Sequence, residues 1–287
     1  MIRDPRDVDV VHLISPDAVI GGPRTAAAER LRRATAFAVH VQRRRIALVQ
    51  TLVGQGVRSP AEQVLDRVTT AFIARDGHQS TPDASRTRVI PHSHLRDRFL
   101  GYPRARAIAG RAVMVAPATL DAAYEAPVKV FAAADIPGSS LRIVGRAPAP
   151  LAASFARSAG RSGERVVIRD ESLSDAERVA EITASEFVVI AAPETLESHA
   201  TLLLAVSLGR PVLVEETPAT AALAAEIGAE WVRTHPGRLT IARLEDAVAS
   251  LNGAIPTHDP RLDDRAPNVV ASMYRDLYRD AVNSVIR

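Results

Sequence analysis

The 287-residue chain contains no cysteine, a single lysine, and aromatic side chains at only 4% of its positions. Without thiols, disulfide frameworks, thiolate metal sites and cysteine nucleophiles are excluded, and the chain is compatible with a reducing compartment. Apart from Lys129 the basic residues are arginines, and 36 basic residues are nearly balanced by 33 acidic ones spread along the chain, for a formal net charge of +3. That is not the basic stripe of a nucleic-acid-binding surface, so no nucleic-acid partner is expected. Long hydrophobic runs are missing too: the stretch 200–208 is far shorter than the roughly 18 apolar residues that suggest a membrane span. The opening residues, MIRDPRDVDVV, carry both signs of charge and no apolar core with a cleavage site, so no signal peptide is read there. The expected location is the cytoplasm, in solution or peripheral to a membrane. P-loop, H-E-x-x-H, G-x-S-x-G and EF-hand patterns are all absent from the sequence, which removes support for kinases, zinc proteases, serine hydrolases and calcium sensors.

What is present is a globular composition, 47% hydrophobic and 24% charged, enough for one large or two small domains. Short apolar runs alternate with amphipathic stretches throughout, the pattern of parallel strands joined by crossover helices. In the first half the expected strands cover 8–14, 46–53, 70–75 and 86–91, with helices over 25–45 and 60–68. In the second half strands are expected at 112–117, 140–145, 165–169, 186–191, 211–215 and 231–234. Helices there are expected at 122–134, 151–159, 175–184, 199–208 and 219–227. Six runs rich in Val and Ile, buried on both faces, are what a doubly wound sheet requires. The two α/β halves are expected to divide at 107/108, in the Gly- and Arg-rich stretch GYPRARAIAGR, with 108–266 forming the second. A final amphipathic helix, 267–287, carries Val270, Met273, Tyr274, Leu277 and Tyr278 on one stripe that something apolar must cover.

The run EFVVIAAPETLESHATLLLAVSLGRPVLV, 186–214, leads a strand through a polar loop into a helix that stops at Gly209 and Pro211. It resembles the donor-binding stretch of GT-B glycosyltransferases, in particular the exopolysaccharide branch of the family-four type found in bacteria. SLRIVGRAP at 140–148, VIPHSHLRDRF at 89–99 and DVDVVHLISPD at 7–17 are similar to further segments of that family, in the family's order. The resemblance implies two Rossmann-like domains facing a cleft, the first of them shortened, with the last helix packing back toward the first domain. It implies transfer of a hexose from a nucleoside diphosphate sugar to a polysaccharide or glycolipid acceptor, with no metal or other cofactor. A loop followed by a helix N-terminus suits a diphosphate, because unpaired N–H groups and the positive end of the helix dipole meet there. Glu197, Ser198, His199, Ala200 and Thr201, with Ser198–Thr201 at the helix start, are the donor-site candidates, joined by Gly145 and by Arg146 as a phosphate cation. An ordinary helix cap and a solvated loop charge are the alternatives for these two groups.

Several departures accompany the resemblance. The DVVHL-like strand comes almost first, as though one βαβ unit were missing, unless Gly21 and Gly22 serve as its glycine-rich loop. Val53 stands where relatives carry a cleft His, PATLDAAY at 117–124 contains no base where relatives carry an Arg and a Lys, and Ala205 replaces the second of two Glu. Loss of both cations should weaken diphosphate binding. His12, His92 and His94 are the remaining catalytic candidates, His12 equally suiting a core role. His92 and His94 flank Ser93 and could hold a metal with Asp97, but one of them facing the cleft is the expectation, and no metal is assigned. Gly54 and Gly56, in GQGVRS, would line the acceptor side; the same run is a near miss to a dinucleotide fingerprint, with Ser59 replacing its last Gly, and supports an NAD-type oxidoreductase only weakly. The Arg43–Arg45 run is a solvated helix end or a contact for anionic lipid. The competing function is a degenerate transferase fold that binds sugar, nucleotide or a protein partner without catalysis.

Overall fold

Strands with side chains of alternate register buried on both faces form two separate parallel sheets in the computed structural model. Residues 8–22, 24–52, 57–117, 122–160, 162–251 and 255–286 are described. The chain forms two compact units, Met1–Ser93 with Asp264–Arg287, and His94–Asp263.

The first unit contains β1 (Val10–Leu13), β2 (Ala47–Thr51), β3 (Ala71–Ala74) and β4 (Thr87–Val89), paired in parallel in that order. Between them run α1 (Asp17–Ile20), α2 (Ala27–Arg44) and α3 (Pro60–Val68). The start of α3 follows from local chemistry: Ser59 and Glu62 make a reciprocal capping box, and Pro60 occupies the first turn, where its missing N–H costs nothing. The two-residue period of the strands then divides the core. Leu13 and Leu48 meet Ile20, Ala34, Val41 and Leu65 of the helices, whereas Ala47, Val49, Ala71 and Ile73 face the other way.

The second unit is a six-stranded parallel sheet built from β5 (Arg111–Val115), β6 (Ser140–Val144), β7 (Val166–Arg169), β8 (Phe187–Ile190), β9 (Val212–Glu215) and β10 (Val232–His235). Its order is β10-β9-β8-β5-β6-β7, the doubly wound arrangement expected from six doubly buried runs. On one face, Val113, Val188 and Val212 pack with α6 (Asp175–Thr183), α7 (Leu196–Ser207) and α8 (Pro218–Ile227). On the other, Ala112, Met114, Leu141 and Phe187 pack with α4 (Glu125–Ala133), α5 (Ala149–Ala159) and α9 (Ile241–Leu251). The helix α9 has no counterpart among the helices read from the sequence.

The stretch 94–107, read from the sequence as the end of the first half, packs in the second unit. Phe99 is 4% exposed in the α6–α8 core, a burial worth about 2–3 kcal/mol, and the Leu95 N–H donates to Ser207 Oγ at 2.9 Å. The last helix, α10 (Pro267–Ile286), covers the open face of the first sheet through Val270, Leu277 and Ala281. Met273, expected on the apolar stripe, is 37% exposed, because the buried line is centred on Val270 and Leu277 and leaves position 273 at its margin.

Candidate active site in the second unit

Strands β5 and β8 are neighbours in the sheet, paired through Ala112↔Phe187 and Val113↔Val188. The chain leaves β5 toward β6 on one side and arrives at β8 from β7 on the other, so β5/β8 is the point where the winding reverses. Connections diverge beyond the carboxyl ends of such strands and leave a crevice in which α/β proteins bind ligands.

The loop after β8 enters α7 through Thr195, which has extended backbone angles (φ −84°, ψ 151°) and accepts the Ser198 N–H on Oγ1 at 3.1 Å. The helix therefore begins at Leu196, one turn before the expected start at 199. This corrects the expectation that Ser198, His199, Ala200 and Thr201 form its uncapped end: the His199 N–H is already bonded to the Thr195 carbonyl at 3.1 Å. A turn closed by the Thr195 N–H on Ala192 O delivers a strong capping residue that the apolar pattern alone does not mark.

A cavity of about 350 Å³ lies over this crevice. The end of β5 contributes Val115, Ala116 and Pro117, and α7 contributes Glu197, Ala200, Thr201 and Leu204, whose helical spacing puts them on one face. Three of the five α7 candidates thus line the cavity. Ser198 and His199 turn inward, at 2% and 9% exposure, and the Ser198 hydroxyl lies 3.1 Å from that of Tyr124, itself a lining residue. The Thr201 hydroxyl donates to Glu197 O at 2.9 Å, which leaves its oxygen able to accept. Positive charge in the lining comes from Arg98 and Arg178. Both reach toward Asp175: Arg98 donates to Oδ2 at 3.3 Å, and Arg178 lies 4.0 Å from Oδ1. Neither arginine carried a sequence signal, since the elements holding them, a short 3-10 turn at Asp97–Phe99 and the first turn of α6, meet only in the folded unit.

A larger cavity, about 610 Å³, opens at the ends of β8, β9 and β10 on the α4 side, with Lys129, Glu215, His235 and Arg238 in its lining. The His235 Nδ1 faces the Gly237 carbonyl at 2.8 Å and so carries the proton, while burial pushes the imidazole below its ordinary pKa. None of the donor-site, acceptor-side or catalytic candidates read from the sequence lines this cavity. We place the candidate site at the smaller one, because it alone of the two combines the β5 terminus with the first turns of α7.

The other sequence candidates are dispersed. Gly145 has φ +103° and donates its N–H to Arg169 O at 3.1 Å; a Cβ there would make only ordinary contact with Ala116, so the backbone conformation is what calls for glycine. Arg146 is exposed and is not among the lining residues of the smaller cavity. In the first unit His12 is held at both nitrogens, Nδ1 to Tyr278 OH and Nε2 to Thr51 Oγ1, each at 2.8 Å, and burial lowers its pKa. His92 is half-buried, its pKa lowered by burial and by Arg75 and Arg265, and its Nε2 is enclosed without a hydrogen-bond partner among the described residues. His94 belongs to the second unit and accepts the Arg96 N–H on Nδ1 at 3.3 Å. Gly21, at φ +89°, ends α1 by donating to Asp17 O, and Gly22 accepts the Thr25 N–H. Val53, Gly54 and Gly56 lie outside the described residues. Among the described residues no three His, Cys, Asp or Glu gather as a metal site, and no helix is long and apolar enough to cross a membrane.

No protein-family model matches the chain. Two curated relatives, each a GDP-mannose:glycolipid 4-beta-D-mannosyltransferase from Xanthomonas campestris pv. campestris, are 27% identical over 196 residues, 68% of this chain and 56% of theirs. The chain thus spans about half the length of the curated relatives it matches. Among solved structures, Anabaena Alr3699/HepE in complex with UDP aligns with a TM-score of 0.61 at 15% identity, over 98% of this chain and 78% of that one. A glycosyltransferase from Rickettsia africae ESF-5 aligns at 0.60 and 11% identity, over 91% and 83%. The lipopolysaccharide outer core galactosyltransferase WaaB, in its apo form, aligns at 0.53 and 13% identity, over 97% and 74%. These likenesses establish the fold, two parallel α/β units of the GT-B glycosyltransferase kind.

Proposed function

We propose that the protein is a glycosyltransferase that moves a hexose from a nucleoside diphosphate sugar to a glycolipid or polysaccharide acceptor, with the donor held in the β5/β8 cavity of the second unit. The observation that carries this reading is the cavity itself: a switch-point crevice with Glu197 and Thr201 on the opening turns of α7 and two arginines in its lining. The Glu197 carboxylate accepts hydrogen bonds only, as donor hydroxyls require, and the positive end of α7 favours a diphosphate. The donor and acceptor in the name of the Xanthomonas relatives support the same class and make GDP-mannose the first donor to test. Transfer of this kind proceeds by alignment and charge stabilisation. No resident metal enters this reading.

A second reading, a binding partner without catalysis, is favoured by His12, whose two nitrogens are both engaged. Ligand-observed NMR of the full chain against GDP-mannose and a panel of UDP- and dTDP-sugars, followed by turnover with a lipid-linked saccharide, separates the two. Saturable binding with turnover supports the transferase, and binding without turnover supports the second reading. Loss of binding in Glu197→Ala with retention in Lys129→Ala and Arg238→Ala places the donor in the smaller cavity; the opposite pattern moves it to the larger one.

A further inference from the structure

Relatives in the family that this sequence resembles are expected to meet the donor phosphates with cations just after the first strand of the second domain, and the corresponding stretch 117–124 has none. The folded unit brings other cations to the cavity. We infer that Arg98 and Arg178 form a relocated pyrophosphate clamp, and that Asp175 occupies it in the free protein as a built-in competitor for the ligand. This rests on, and deepens, the donor reading above.

The geometry of three side chains carries the inference. Arg98 is anchored at its base by the buried Phe99, with its guanidinium carbon 5.5 Å from the ring centroid, while its side chain remains 62% exposed. Its charge therefore lies beside a buried ring with its fork accessible. Arg178, which lines the same cavity as Arg98, projects from the first turn of α6, three residues after Asp175. Asp175 takes a 3.3 Å hydrogen bond from Arg98 on one oxygen and lies 4.0 Å from Arg178 on the other. One carboxylate thus faces two guanidiniums, an arrangement with one negative charge too few for its cations. A pyrophosphate carries more charge and more acceptor oxygens than the carboxylate, and can engage both forks by charge-assisted hydrogen bonds. Because the Asp175 pairs are exposed, they are weak enough for a ligand to replace.

The test is calorimetric titration of the full chain with inorganic pyrophosphate, with GDP and UDP, and with guanosine and uridine. Wild type should bind pyrophosphate and at least one nucleoside diphosphate, the latter more tightly than its nucleoside and more weakly as salt rises. Arg98→Gln with Arg178→Gln should lower pyrophosphate and nucleotide affinity by about tenfold or more and leave nucleoside affinity alone. Asp175→Asn, which removes the competitor, should tighten pyrophosphate binding by about two- to fivefold. Pyrophosphate affinity unchanged in the double variant, or unchanged or weaker in Asp175→Asn with an unaltered melting temperature, overturns the clamp even if nucleotides bind. Pyrophosphate binding lost in the double variant, together with indifference to every nucleotide, upholds the clamp and overturns the donor reading. Indifference of the wild type to all of these ligands overturns both.

Discussion

The hydroxyl of Tyr278 sits 2.8 Å from Nδ1 of His12, so a residue of the final helix closes a hydrogen bond to the first strand across 266 positions. The opposite ring nitrogen meets Thr51 at the end of β2, and Tyr274 stacks at a tilt 6.0 Å away. Alternate residues of β1 and β2 face α10, which is why His12 and Thr51 share this side with Val10 and Val49. Removing the hydroxyl in Tyr278→Phe should cost about 0.5–1.5 kcal/mol, read as a lower urea midpoint with an unchanged slope. No change would mean that water replaces the tyrosine.

Acidification should weaken the fold in two separate stages. Burial lowers the pKa values of His12, His92 and His235 from their ordinary value of 6.5, so between 6.5 and the folded values the unfolded chain binds more protons. Their contribution is fully present above pH 6.5 and is lost as pH falls through that value toward the folded ones. Glu177, held to about 2 by Ser174 and Arg169, contributes fully above its ordinary 4.5, and its share is lost as pH falls from there toward 2. Urea midpoints at pH 7.5, 6.0 and 5.0 should decline, and His12→Gln should make that decline shallower; a flat profile over this range would contradict the burial of the three imidazoles.

Glu181 holds a cationic cluster together under the second sheet. Its side chain is only 9% exposed and receives Arg111 at 2.6 Å, Arg142 at 2.8 Å and Arg169 at 3.3 Å. Glu181→Gln keeps the shape and removes the charge that three guanidiniums share. A loss of about 3–5 kcal/mol is expected in chemical denaturation, larger than for any single arginine replacement, because each arginine removed leaves two partners behind.

Gly110 precedes β5 with φ +72°, and a Cβ there would stand 2.2 Å from the carbonyl oxygen of Gly138. Gly138 itself has φ +75° but open space around it. Gly138→Ala should therefore cost about 1–2 kcal/mol, the strain of the left-handed conformation alone, while Gly110→Ala adds a backbone overlap and should cost about 1–3 kcal/mol more. Equal melting temperatures for the two variants would show that the β5 entry yields to the added atom.

Much of the architecture was legible because it follows from local pattern. The runs 112–117, 140–145 and 211–215 read as doubly buried strands, and Arg111–Val115, Ser140–Val144 and Val212–Glu215 are such strands. The helix 60–68 was legible to the residue, since a capping serine, a helix-starting proline and a well-placed glutamate mark its start within four positions. The start of α7 was not: Thr195 lies outside the apolar pattern, and its capping role depends on the turn that precedes it. The stretch 101–111 carried a boundary-like composition, yet the division falls after Ser93 and Phe99 found its core in the second unit. His12 shows the same limit, for nothing near β1 in sequence announces Tyr278.

By itself the sequence determined the alternation of strands and helices, because burial on both faces and capping are free-energy terms settled among residues a few positions apart. Tertiary structure decided which residues meet in the candidate site. Pairing β8 with β5 rather than with β7, its predecessor in the chain, brings the first turns of α6 and α7 to the end of β5, and with them Arg178, Glu197 and Thr201. That choice is a balance of burial summed over a whole sheet, and no single segment carries it.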